Sequence, residues 1–111
     1  MRAIVVLLVL GLAGAVPARA ASLPQYDPEA HCRKVANSIG AYSAMIDKGC
    51  LEMEQGAYDS LKSSWDLVPI DARQHCDEVA RAIGGEGSYT ILRGCVEMET
   101  EAARSKKQFK F

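Results

Sequence analysis

The sequence is poor in aromatic residues, in net charge and in the spaced histidine and cysteine pairs that build metal sites. Phe, Trp and Tyr make up 6% of the 111 residues, with a single tryptophan, Trp65. A short chain with so little bulk builds a thin core, and domains of that kind depend on added staples. The formal charge is −1, so the basic footprint that nucleic-acid binding requires is missing. No CxxC, CxxCH or HxxxH spacing occurs, which argues against a zinc knuckle or haem attachment. No Ser-His-Asp or Cys-His constellation is recognisable, so the expectation is a protein that is not an enzyme and carries no cofactor.

Long apolar runs are also missing, except at the start. Residues 3–16, AIVVLLVLGLAGAV, are apolar or glycine throughout, preceded by Met1-Arg2 and followed by Pro17-Ala18-Arg19-Ala20. A positive start, a short apolar core and a small-x-small end have the layout of a secretory signal peptide over residues 1–20. The run is shorter than the roughly 20 residues a membrane-spanning helix needs. No cysteine stands at the cleavage point to carry a lipid, and no arginine pair marks a twin-arginine route. Removing 20 residues from 111 leaves an expected mature chain of 91, with 11 basic and 14 acidic residues and a net charge of −3. This predicts a periplasmic or secreted protein with no stable membrane insertion after signal cleavage.

What the chain does contain is a copy of itself. A shift of 44 lays Asp27, His31, Cys32, Val35, Ala36, Ile39 and Gly40 over Asp71, His75, Cys76, Val79, Ala80, Ile83 and Gly84. A shift of 45 then pairs Ser43, Ile46, Gly49, Cys50, Glu52, Met53, Glu54 and Ala57 with Ser88, Ile91, Gly94, Cys95, Glu97, Met98, Glu99 and Ala102. Over residues 27–40 and 43–57, 15 of 29 positions are identical, which marks a tandem pair of one supersecondary unit.

Each unit reads as a helical hairpin. Asp27 caps a first helix with Pro28 at its first position, and Cys32, Val35, Ala36 and Ile39 form an apolar stripe ending at Gly40. Ser43 caps a second helix with the stripe Ile46, Cys50, Met53, Ala57 and Leu61. The second unit repeats this with cap Asp71, stripe Cys76, Val79, Ala80 and Ile83, a glycine-rich loop 84–87, cap Ser88, and stripe Ile91, Cys95, Met98 and Ala102. The expected fold is all-α: residues 21–104 form a four-helix domain of two repeats, 27–62 and 71–104. Trp65 in the connection is expected to fill the core between hairpins, and residues 105–111 to form a flexible basic tail.

The hairpins choose among the three possible cysteine pairings. Cys32 and Cys50 are centred on the first loop, Cys76 and Cys95 on the second, so each pair sits level across its own hairpin. Disulfides Cys32–Cys50 and Cys76–Cys95 follow, each contributing roughly 2–4 kcal/mol in an oxidising compartment. A disulfide needs Cα atoms closer than ordinary helix packing brings them. Gly49 and Gly94, one residue before each second cysteine, are therefore expected to permit that approach.

Two sharper functions compete with a plain binding role. His31 and His75, with Met45, Met53 and Met98, are a soft donor set suited to a copper-type metal carrier. Adjacent His and Cys on one helix point about 100° apart, however, and disulfide-bonded cysteines supply no thiolate. The Glu-Met-Glu segments 52–54 and 97–99 invite a paired-carboxylate mechanism, but residues two apart on a helix diverge, so these glutamates are expected on a solvated face. Tyr42 and Tyr89, at the loops, are the candidate exposed aromatics of a contact surface.

The second unit, with Cys76, Gly84-Gly85, Ser88-Tyr89, Leu92 and Cys95, and with Trp65, Pro69 and Arg73 upstream, resembles small exported proteins of alphaproteobacteria. Those proteins carry a Cys…Gly-Gly…Ser-Tyr-x-x-Leu-x-x-Cys pattern. The first unit departs from it, with Gly40-Ala41-Tyr42-Ser43 at the loop. The resemblance covers most of residues 27–102, implies export and paired cysteines, and transfers no activity, cofactor or site residue. The leading expectation is a non-catalytic exported binding or interaction module whose partner is an envelope or secreted protein. A soft-metal carrier and a purely structural envelope protein are the alternatives.

Overall fold

A computed structural model describes residues 22–111; the expected signal peptide lies outside the described residues. The chain forms α1 Pro28–Asn37, α2 Ala44–Ser64, a 3-10 turn Trp65–Leu67, α3 Ile70–Gly84 and α4 Tyr89–Ser105, with no strand among the described residues. α1 packs on α2, α3 packs on α4, and the two hairpins meet through α2 and α4. The all-α architecture of two hairpins is thus the one observed. Glu54 of α2 reaches Ser88 and Tyr89 at the start of α4. Farther along, Ser64 and Val68 share a groove with Val96 and Ala103. The second half of α2 therefore runs alongside α4 in the same direction, and the hairpins are offset by about half a helix.

Both cysteine pairs are disulfides, Cys32–Cys50 and Cys76–Cys95, with Cα atoms 5.5 Å and 5.4 Å apart, and no described cysteine is free. Two disulfides suit an oxidising location outside the cytoplasm. No helix among the described residues is long and apolar enough to cross a membrane.

Three helices start as the sequence predicts. The Asp27 carboxylate accepts from the Ala30 amide at 3.0 Å, and the Ser43 and Ser88 hydroxyls accept from the Ile46 and Ile91 amides. The exception is α3, whose cap is Pro69, with Asp71 inside its first turn. Arg73 explains the earlier start: its Nε donates to the Val68 carbonyl at 2.7 Å and its Nη2 to the Asp66 carbonyl at 3.1 Å. These bonds hold the linker against the helix and place the proline where its fixed φ begins a helix without needing a donor.

The core is Ala57, Leu61, Trp65 and Val68 from α2 and the linker, Cys76 and Ala80 from α3, and Tyr89, Leu92 and Val96 from α4. Trp65 fills the space between the hairpins as expected, with the Arg73 guanidinium 5.7 Å from its ring centroid. Several stripe residues are not core. Ile39, Met53, Ile83 and Met98 are exposed. Ile39 lies beyond the end of α1, which stops at Asn37, and Ile83 lies in the last turn of α3. On α2 the buried face runs Glu54, Ala57, Leu61, one residue round the helix from the expected Met53. On α4 it runs Tyr89, Leu92, Val96, because this face meets α2 as well as α3.

The glycine expectation also fails. A Cβ at Gly49 or Gly94 would meet nothing within 4 Å, since one residue along a helix turns the backbone about 100° away from the disulfide. Close approach is required at Gly87 instead, where φ is +93° and a Cβ would overlap the Tyr26 ring.

Candidate binding site

The segment before α1 lies across the junction of the two hairpins and is tied there by tyrosines. The Tyr26 amide donates to Tyr89 Oη at 2.9 Å, and Tyr89 Oη donates to the Pro24 carbonyl at 2.9 Å. Tyr26 Oη donates to Asp77 on α3 at 2.6 Å, and Arg81 Nε donates to the same carboxylate oxygen at 3.1 Å. The rings of Tyr26 and Tyr89 stand 4.7 Å apart, and Tyr58 of α2 meets Tyr89 edge-on at 5.0 Å. Burial, then the bond to Asp77, pushes the Tyr26 phenol well above its ordinary range, and burial also raises Tyr89. Both are held as neutral phenols.

Glu54 stands at the centre of this junction and is 2% exposed. Its Oε1 accepts from Ser88 Oγ at 2.6 Å and the Thr90 amide at 3.3 Å, and its Oε2 accepts from the Tyr89 amide at 2.6 Å. With Ser88 Oγ taking the Ile91 amide, the first three amides of α4 all have partners. A side chain of one hairpin thus caps a helix of the other, placing a carboxyl at the positive helix end. His31 Nε2 lies 3.9 Å from Glu54 Oε1, and the repeat-equivalent His75 lies 3.5 Å from Glu99 Oε1. A second link between hairpins joins Lys34 to Glu86, whose carboxyl the lysine holds below its usual range.

Two concavities flank Glu54. One, of about 520 Å³, lies under the N-terminal segment and is lined by Tyr26, Glu29, Leu51, Glu54, Gln55, Tyr58 and Tyr89, among others. The other, of about 400 Å³ and largely apolar, is lined by His31, Val35, Ile46, Cys50, Met53 and Ile91, among others.

The expected site residues scatter. Tyr42 is exposed, its hydroxyl donating to Asp47 at 2.6 Å. Tyr89 is not an exposed aromatic: it is buried in the core, because the N-terminal segment covers it. Of the soft donors, His31 and Met53 share the apolar groove, while Met45 and Met98 are exposed on separate helices and His75 faces Glu99. Among the described residues no group of three or more His, Cys, Asp or Glu could hold a metal. The solvated-face expectation holds for Glu52 and Glu97, which pair with Lys48 and Arg93 one turn away, and fails for Glu54.

Sequence reasoning missed Tyr26 and Glu54. Tyr26 sits outside the repeat and had no pattern to mark it. Glu54 carried one available signal, its place three residues before Ala57 and seven before Leu61 on the apolar face. Comparison with protein-family models, curated proteins and solved structures finds no match to this chain.

Proposed function

We propose that the protein is an exported, non-catalytic binding module of the periplasm or extracellular space, and that it engages another envelope or secreted protein. The observation that carries this is a set of outward apolar side chains at repeat-equivalent positions. Ile39 and Ile83 are 80% and 71% exposed, and Met53 and Met98 are 61% and 74% exposed. A chain with so thin a core gains nothing for its own stability by leaving these residues in water, and their repetition in both units offers apolar area that a partner could cover. Methionine suits such a surface because its flexible thioether adapts to a partner. Met53 also borders the apolar groove beside Glu54, so the surface has relief. The signal-peptide layout and the two disulfides support the location.

The test is crosslinked capture from the native envelope fraction with the wild type and with Ile39→Gln/Met53→Gln. Both side chains are exposed, so the variant should melt as the wild type does. A partner recovered by the wild type and lost by the variant is the expected result; equal recovery by both overturns the surface assignment. The soft-metal carrier is a second reading, favoured by His31 and Met53 sharing one groove. Copper titration of His31→Ala decides it, and unchanged affinity removes the site.

A further inference from the structure

We infer that the tyrosine-lined pocket under the N-terminal segment is a binding site for a small organic cation, such as an alkylated ammonium group. This rests on the binding-module reading and adds a ligand class to it. The pocket's volume of about 520 Å³ lies within the range of small-molecule sites. Tyr26, Tyr58 and Tyr89 line it together with two carboxyl side chains, Glu29 and Glu54, and two neutral amides, Gln25 and Gln55; no Lys, Arg or His does. Aromatic faces attract cations through the ring quadrupole, and ring clusters beside carboxylates are the usual recognition chemistry for quaternary ammonium groups. An anion would meet two carboxyl groups and no basic side chain there.

The chain already uses two of these rings in this way. Arg81 stands 5.0 Å from the Tyr26 centroid and Lys62 stands 5.6 Å from the Tyr58 centroid. Neither cation lines the pocket, and Lys62 borders the neighbouring groove instead. The walls are also set in advance. Tyr26 and Tyr89 are held by the hydrogen bonds between the N-terminal segment, α3 and α4, and Glu54 by three bonds to the start of α4. A ligand therefore meets ordered rings and little ordering is required on binding. Glu29, exposed in the first turn of α1 at the pocket wall, supplies an attracting charge.

The experiment titrates the disulfide-bonded protein with choline and with choline's uncharged tert-butyl isostere, following tyrosine-ring and amide NMR shifts. Choline should move the signals of Tyr26, Tyr58 and Tyr89, with the isostere binding roughly tenfold more weakly. Tyr58→Leu should weaken choline by a similar factor, Tyr58→Phe should retain it, and Glu29→Gln should lose roughly two- to fivefold. Glu29→Gln leaves the core untouched, so its result stands even if Tyr58→Leu disturbs the fold. Equal binding of choline and the isostere would overturn the cation assignment while leaving a ligand pocket in place. No shift with either would overturn the site, and capture of a protein partner through Ile39 and Met53 would then still support the wider reading.

Discussion

Glu54 and Glu99 occupy the same position in the two repeats and do different physical work. Glu54 is buried and satisfies two amides and a hydroxyl at the start of α4, whereas Glu99 is half exposed and lies beside His75. Removing a buried acceptor leaves its donors without partners and costs more than the bond itself was worth. Glu54→Ala should therefore destabilise the fold by about 2–3 kcal/mol, and Glu99→Ala by less than about 0.5 kcal/mol. Denaturant unfolding of both variants checks this, and equal losses would show that the capping role is wrong. The glycines give a second contrast. Gly49→Ala has open space and should stabilise α2 by about 0.5–1 kcal/mol. Gly87→Ala, at positive φ against the Tyr26 ring, should cost more than about 1 kcal/mol.

The tyrosine phenols carry a pH signature. Burial and the bond to Asp77 raise the folded value of Tyr26 above the ordinary 10.0, and burial raises Tyr89 as well. A group whose folded value is raised contributes fully at pH below the unfolded value and loses that contribution as pH climbs towards the folded one. Stability should thus be level towards neutral pH and fall above about pH 10. Phenolate absorbance should show Tyr26 and Tyr89 resisting ionisation until the chain unfolds. Tyr26→Phe should flatten the alkaline fall, and an unchanged pH profile in that variant would exclude Tyr26 as its source.

At the level of elements, the two hairpins are alike where each folds by itself and unlike where they meet. Helix caps Ser43 and Ser88, the disulfides and the His–Glu pairs recur. The interface residues do not: Tyr89, Leu92 and Val96 of α4 align with Ala44, Asp47 and Leu51 of α2, and Leu61 and Trp65 align with Lys106 and Lys110. Apart from Leu51, the faces that would accept a third unit have lost the large apolar side chains that join the first two, as terminal repeats do. Each disulfide closes one hairpin, so each should contribute roughly 2–4 kcal/mol. Replacing Cys32 and Cys50 by Ser should leave the core cluster of α2, α3, α4 and the linker assembled, because Cys76 and not Cys32 belongs to it. Near-native Trp65 fluorescence in that double variant is the expected outcome; loss of it together with the first hairpin would show that the hairpins unfold as one.

For the whole molecule, the pattern of identity and difference between repeats made much of the fold legible. Helix number, hairpin pairing, both disulfides and the buried Trp65 all follow from local rules, because caps, loops and level cysteines are set by residues close in sequence. Which side chains face outward was not legible in that way. Met53 and Glu54 are neighbours, and only the angle at which α4 crosses α2 decides which of them is buried. Tyr89 looked like a loop aromatic until the segment carrying Tyr26 was placed across it.

The scarcity of aromatic residues now has a location. Tyr26, Tyr58 and Tyr89 are gathered at one junction, with Trp65 in the same core cluster. The sequence by itself determined two stapled hairpins, since hydrogen-bond caps and disulfide spacing act over a turn or a loop. Only the tertiary structure decided that Glu54 of one hairpin caps the other, and that the N-terminal segment roofs a pocket between them. Those contacts join residues more than 30 positions apart, and their existence depends on how two helices slide past each other, which no local pattern records.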